Sequence, residues 1–381
     1  MTRATKAEKI IIDNYGSFIG ANRISFVVNK DKKQVQSTPF YKVSEIVIPC
    51  GNAISTTALF WANVYNIDVL LVSPLGKPLA TFRPIKSDSH VKTRICQYEA
   101  YRNRKGVEIA KQFILGKIEA QSQILQKHEL EPFESLQLPS KEQIERLYGE
   151  NVDSIRLKLQ TIESHYTQHY FGQIFKLFPK HLRIEQRDTF GAYEPLNNLL
   201  NLAYEILTWK VFRAITKTRL EPYLGFIHSM QKDKPSLVCD LQDLYRPYID
   251  NFLIQYTKTL NQKDFTPTYG KAKTPRMFLK YPESSQLIKA LNNFFETKVE
   301  IQRIKKHGSS QTLETLMNEE ALLLAMYIRN ETPAWNPRTP TPLVVCALTK
   351  TRAHMSTKRH ILEQKRTPNL LYHRKTSPNQ T

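Results

Sequence analysis

Short apolar runs with turn residues between them open the chain, and a 3.6-residue period replaces them further on. Ile10-Ile11-Ile12, Ile24-Ser25-Phe26-Val27-Val28, Glu45-Ile46-Val47-Ile48 and Val69-Leu70-Leu71-Val72 are rich in β-branched residues. Asn14-Tyr15-Gly16, Asp31-Lys32-Lys33 and Pro74-Leu75-Gly76-Lys77-Pro78 bound them, so the pattern predicts strands. One helix is expected among them, from Ser55 to Tyr65, with Ser55 or Thr56 as its N-cap. Gly16-Ser17-Phe18-Ile19-Gly20 lacks the further glycines and the following helix of a phosphate-binding loop and reads as a hairpin turn. Beyond the polar stretch from Pro84 to Lys92, Val107, Ala110, Ile114, Ile118 and Leu125 fall near one face of a long amphipathic helix. Further helical patterns cover 141–147, 155–177, 195–216 and 311–328. The expected fold is α+β: a β-sandwich-like amino-terminal domain over residues 1–90, then a mainly α-helical catalytic domain over 91–332. No internal repeat of solenoid length is present.

The segment 333–381 differs in kind. Pro333, Pro337, Pro340 and Pro342 break its start, and Lys or Arg recurs at 350, 352, 358, 359, 365, 366, 374 and 375. It reads as a basic tail, with no helix-turn-helix pattern. The 381 residues carry 55 Lys and Arg against 35 Asp and Glu, a formal charge of +20. That excess favours nucleic acid over a membrane surface as partner, because phosphates release counterions when Lys and Arg replace them. The longest apolar region, 58–75, is interrupted by Asn63, Asn66, Asp68 and Pro74, too often for a bilayer span. Cys50, Cys96, Cys239 and Cys346 have neither zinc-site spacing nor the density of a stapled secreted domain. They read as buried thiols of a cytoplasmic protein.

Against this basic background, acidic and imidazole groups sit beside apolar runs at three places. Glu163 lies in a helical pattern with Leu157, Ile162, Tyr166, Tyr170 and Ile174; taken singly it reads as a helix-surface acid. His228 follows Tyr223-Leu224-Gly225-Phe226-Ile227 and singly reads as a core histidine. Asp240 and Asp243, three apart, share one helical face. Asp240 also suits an N-cap, which would start a helix there and put Asp243 in its first turn. Together the groups make an oxygen-rich set with one imidazole, suited to Mg²⁺ or Mn²⁺ rather than structural zinc. Such an ion serves phosphodiester chemistry, which a carboxylate alone performs poorly on a polyanion. Arg246 could pair with an acidic ligand or with a phosphate. No P-loop spacing precedes Gly76-Lys77, so ATP-driven chemistry is unsupported.

The order of motifs resembles CRISPR-associated protein one, the spacer-acquisition integrase and endonuclease family, in its archaeal-type branch. The resemblance runs from Lys9 to Asn330. It includes Ile11-Ile12-Asp13-Asn14-Tyr15-Gly16-Ser17, Ile54-Ser55-Thr56-Thr57-Ala58-Leu59, Pro195-Leu196-Asn197-Asn198-Leu199-Leu200-Asn201, Leu220-Glu221-Pro222-Tyr223-Leu224-Gly225-Phe226-Ile227-His228 and Asp240-Leu241-Gln242-Asp243-Leu244-Tyr245-Arg246-Pro247. It implies a metal held by Glu163, His228 and Asp243, with Asp240 as a further site acid. It also implies insertion of short DNA fragments into a CRISPR array by attack of a 3′-hydroxyl on a target phosphodiester. A homodimer and a complex with CRISPR-associated protein two are implied, together with double-stranded, branched or repeat DNA. Gln168 departs from the family, where many relatives carry a basic residue five positions after the metal-binding glutamate. The basic tail extends past the family's usual end and leaves casposon-type transposases, which share the catalytic domain, as an alternative. A non-catalytic nucleic-acid-binding scaffold is the reading from a different class.

Overall fold

In the computed structural model the described residues are 8–12, 15–73, 78–82, 91–189, 192–269, 274–299 and 311–340. The expected turn at 74–77, most of the polar stretch after Pro84, Cys346 and the tail beyond 340 lie outside them. The amino-terminal part holds two four-stranded sheets, ordered β1-β5-β7-β8 and β4-β3-β2-β6. The strands are β1 (Glu8–Ile11), β2 (Ser17–Ala21), β3 (Ser25–Lys30), β4 (Lys33–Pro39), β5 (Val43–Pro49), β6 (Ala53–Ile54), β7 (Asp68–Val72) and β8 (Pro78–Phe82). Ile10, Ile46 and Val69 from one sheet and Ile19, Phe26 and Val28 from the other share one buried core. The part is thus sandwich-like, and helix α1 (Thr56–Val64) adds Ala58 and Ala62 to the same core. Ser55 caps α1 by accepting a hydrogen bond from the Ala58 amide at 3.1 Å.

Three strands depart from the sequence reading. The segment read as a hairpin turn, Gly16 to Gly20, is mostly strand β2; only Gly16, at φ 75°, serves the turn before it. Strand β4 (Lys-Gln-Val-Gln-Ser-Thr-Pro) carries a single large apolar residue, Val35, which is exposed because β4 is a sheet edge. An edge strand has one unpaired side and is kept polar, so its sequence shows little hydrophobic alternation. Strand β8 is likewise an edge. The Asp31-Lys32 turn holds: both residues have positive φ, 50° and 62°, and join β3 to β4.

The helical part contains α2 (Lys92–Tyr101), α3 (Arg104–Lys127), α4 (Lys141–Glu145), α5 (Val152–Ile174), α6 (Pro195–Lys217), α7 (Ser236–Asp243), α8 (Arg246–Tyr256), α9 (Glu283–Phe295) and α10 (Leu313–Ile328). Helix α3 is buried over most of its length and packs along α5. Helix α5 buries Ile155, Leu159, Ile162, Tyr166, Tyr170 and Ile174, whereas Leu157, expected on that face, is exposed. Helix α6 is the shared wall: it packs on α7, α8 and α10 and sends Trp209, Lys210 and Arg213 to the β1-β5-β7-β8 sheet. Residues 333–340, expected to begin the tail, are packed. Trp335 is buried edge-on against Phe113 at 4.9 Å, its indole N–H donates to Glu320 at 3.2 Å, and Arg338 pairs with Glu320 and Glu319. Cys50, Cys96 and Cys239 are free thiols, part-exposed rather than fully buried as expected. No helix among the described residues is long and apolar enough to cross a membrane.

Candidate functional site

Helix α7 starts at Ser236, not at Asp240. Pro235 precedes it, and Leu237, Val238 and Leu241 bury its inner face. Asp240 is therefore in mid-helix, and Asp243 is the last helical residue rather than a first-turn one. That reverses the electrostatics: a carboxylate at a helix C-terminus faces the negative end of the helix dipole and needs other positive partners.

Asp240 finds backbone amides. Its Oδ2 accepts from Phe226 N at 2.5 Å and Ile227 N at 3.0 Å; its Oδ1 accepts from His228 N at 2.9 Å and lies 2.8 Å from His228 Nδ1. The side chain is fully buried. Four partners on two oxygens hold the 226–228 loop against α7 and set His228 with Nδ1 toward the acid, leaving Nε2 as the ring atom free to act. Burial lowers the basicity of His228, but its hydrogen bond and charge pairing with Asp240 outweigh that and raise its pKa. Gly225 makes this approach possible. A Cβ there would meet the Ser236 backbone carbon at 2.7 Å and Asp240 Oδ2 at 2.8 Å. Gly225→Ala is expected to push the loop off α7, lowering stability by about 1–3 kcal/mol, which chemical denaturation reads.

Asp243 finds cations. Its Oδ2 accepts from Lys117 Nζ at 2.8 Å, and its Oδ1 lies 2.7 Å from Arg246 Nη1 in an ion pair. Burial would raise its pKa, but Arg246 and Lys117 overcome this and hold the carboxyl far below the usual range. Lys117 comes from α3 and also donates to Glu163 Oε1 on α5, which accepts from Thr167 Oγ1 at 2.8 Å as well. Arg246 lies over the Tyr204 ring at 5.0 Å. Below it, Asp250 accepts from Tyr170 at 3.0 Å and from Tyr204; burial pushes its carboxyl up to about 6.

Lys117, Glu163, His228, Asp243 and Arg246 line one cavity of about 240 Å³. The structure thus gathers three of the four sequence-predicted residues around one space, with Asp240 behind His228. Among the described residues, no three His, Cys, Asp or Glu side chains converge closely enough to hold one ion as they stand. The donor chemistry nevertheless suits a divalent cation: the carboxylates of Glu163 and Asp243 and the imidazole of His228 line the same space. Lys117 now supplies positive charge to both carboxylates. Sequence reading missed Lys117, which lies mid-helix in an apolar pattern; a lysine on the buried face of a helix was the available signal.

Two mixed four-stranded sheets followed by helices, with a carboxylate–imidazole cavity walled by α3, α5, α7 and α8, define a two-part α+β protein whose polar site lies in its helical half. The chain belongs to the family of CRISPR associated protein Cas1, whose model matches residues 10–293. It is 27% identical over 280 residues to the CRISPR-associated endonuclease Cas1 of Korarchaeum cryptofilum, covering 69% of this chain and 81% of that one. Among solved structures, a casposase bound to integration product shares the fold with a TM-score of 0.69 at 19% identity, over 93% of this chain and 99% of that one. A Cas6-RT-Cas1–Cas2 complex does so with a TM-score of 0.67 at 18% identity, over 90% of this chain and 37% of that one.

Proposed function

We propose that this protein is a metal-dependent DNA integrase that inserts short double-stranded DNA fragments into a CRISPR array. The convergence of Glu163, His228 and Asp243 on one cavity, in a chain of charge +20, is the observation that carries this reading. Those three side chains would hold Mg²⁺ or Mn²⁺, an ion that polarises a phosphoryl oxygen and lowers the pKa of a bound hydroxyl. Asp240 acts as a positioning residue, since both its oxygens are engaged by the 226–228 loop. Arg246, one face on Tyr204 and one nitrogen on Asp243, holds that carboxylate in its ionised form. In the reaction the fragment's 3′-hydroxyl oxygen forms a bond to a target phosphorus, and the target's 3′-oxygen leaves. The proton lost by the attacking hydroxyl is matched by the one gained by the leaving oxygen, so one phosphodiester replaces another without nucleotide hydrolysis. The family assignment and the likeness to a chain from a complex containing Cas2 support CRISPR-associated protein two as a partner, and a homodimer is part of the same proposal.

The test mixes purified protein, the partner, Mn²⁺ and a labelled DNA fragment with a plasmid carrying repeat DNA. Joined product is expected, and none when the fragment ends in a 3′-dideoxy sugar or when EDTA is present. Joining that persists in EDTA would overturn the metal-dependent reading. Insertion only of fragments carrying a transposon's terminal inverted repeats would favour transposition, and no joining under any condition would favour a binding scaffold.

A further inference from the structure

Lys117 is the cation of the cavity that bridges both of the carboxylates the proposed chemistry needs. Its ammonium donates to both Asp243 Oδ2 and Glu163 Oε1, the carboxylates that a divalent cation would need. The placement is built in. Gly116 lets α3 lie close against the α7–α8 junction and the 333–340 segment, since a Cβ there would meet Leu244 Cδ2 at 2.8 Å and Pro337 Cβ at 3.1 Å, and the neighbouring Lys117 side chain is only 9% exposed. Two buried carboxylates in a shared pocket repel each other and lose hydration, so a lone cation between them stabilises the fold. A divalent cation can do the same, and the two cannot use the same oxygen lone pairs at once.

We infer that Lys117 is a displaceable counter-cation: it neutralises Glu163 and Asp243 until a divalent cation takes their oxygens, and its ammonium is then released into the cavity. The inference rests on the metal-binding reading of Glu163, His228 and Asp243. With Lys117 and Arg246 opposing the two carboxylates the cluster is near neutral; an added divalent cation makes it positive, which favours a DNA phosphate there. Lys117 is therefore a positioning residue that links cation binding to DNA binding, at the cost of weaker cation affinity.

The experiment titrates Mn²⁺ into wild-type and Lys117→Met protein, following binding by electron paramagnetic resonance and thermal unfolding in parallel, without DNA. The variant is expected to unfold at lower temperature in EDTA, to gain more stability from Mn²⁺ than wild type, and to bind Mn²⁺ about tenfold more tightly. As a readout that does not depend on folding of the variant, amine acetylation of wild type is read by mass spectrometry; labelling of Lys117 should rise when Mn²⁺ is added. Equal Mn²⁺ affinity in both proteins, or Lys117 labelling unaltered by Mn²⁺ that binds, overturns the inference and leaves the metal site standing. No Mn²⁺ binding to either protein removes both.

Discussion

Glu163→Gln should lower the DNA-joining rate by about a thousandfold, the size of effect seen when one group stabilising transition-state charge is removed, while the protein stays folded. The substitution keeps the shape of the side chain and an oxygen for Thr167, but removes the negative charge. Glu163 is the more exposed of the two carboxylates, with a side chain 21% accessible against 10% for Asp243. Lys117 keeps Asp243 as partner, so no buried charge is stranded. Asp243→Asn should be equally inactive but less stable: buried Lys117 and part-exposed Arg246 lose the charge between them, which costs about 1–3 kcal/mol. His228→Ala should also be inactive, and Asp240→Asn should fall by only about 10–100-fold, as expected for a group that orients a ligand. Joining rates and guanidinium denaturation on the four variants separate these outcomes. Wild-type joining in Glu163→Gln and His228→Ala would sink the site assignment.

Arg213→Met should destabilise the protein by about 3–5 kcal/mol, because it removes a buried guanidinium shared by two buried carboxylates. Arg213, on α6, donates through Nε to Asp68 Oδ2 at 2.6 Å and through Nη2 to Ser44 O at 3.0 Å, and its Nη1 lies 3.2 Å from Glu45 Oε1. Lys210 stands 3.3 Å from both Glu45 and Glu314, and Lys9 donates to Glu314 at 2.7 Å. This cluster ties α6 and α10 to β1, β5 and β7, so its loss should loosen the helical half from the sheet. The sign of its pH dependence follows from Glu45. Burial would raise that carboxyl, but Lys210 and Arg213 hold it at about 2 against an ordinary 4.5. A carboxyl depressed on folding contributes stability that is complete above its unfolded value and lost as pH falls toward the folded one. Wild-type stability should therefore drop between about pH 5 and pH 2, and in Arg213→Met the drop over that window should be shallower. Equal acid slopes in the two proteins would show that Arg213 does not hold Glu45 down.

The elements that bury an apolar face were the legible ones, because burial imposes a period: β1, β3, β5, β7, α1, α3, α5, α6 and α10 all follow the expected ranges to within a few residues. Edge strands β4 and β8 were not, since their side chains are mostly exposed and so show no alternation, whereas β1, an edge as well, keeps its apolar run because it buries Ile10. The site was legible as a set of residue types and as a resemblance, but its internal roles were not. Asp240 read as a helix cap because Asp is a good cap; the helix starts earlier, at Ser236, since the apolar Leu237-Val238 pair is drawn into the core.

The sequence by itself determined the order of a strand-rich and a helical part, the basic charge, the family, and the identity of Glu163, His228, Asp240 and Asp243 as candidates. Only the tertiary structure decided that Asp240 serves the 226–228 loop, that Asp243 stands between Lys117 and Arg246, and that Lys117 bridges the two carboxylates. Local pattern reports which face of an element is buried. Which charges meet across that burial depends on how α3, α5, α7 and the 226–228 loop come together, and Gly225, whose missing side chain leaves no periodic mark, is what lets that loop lie against α7.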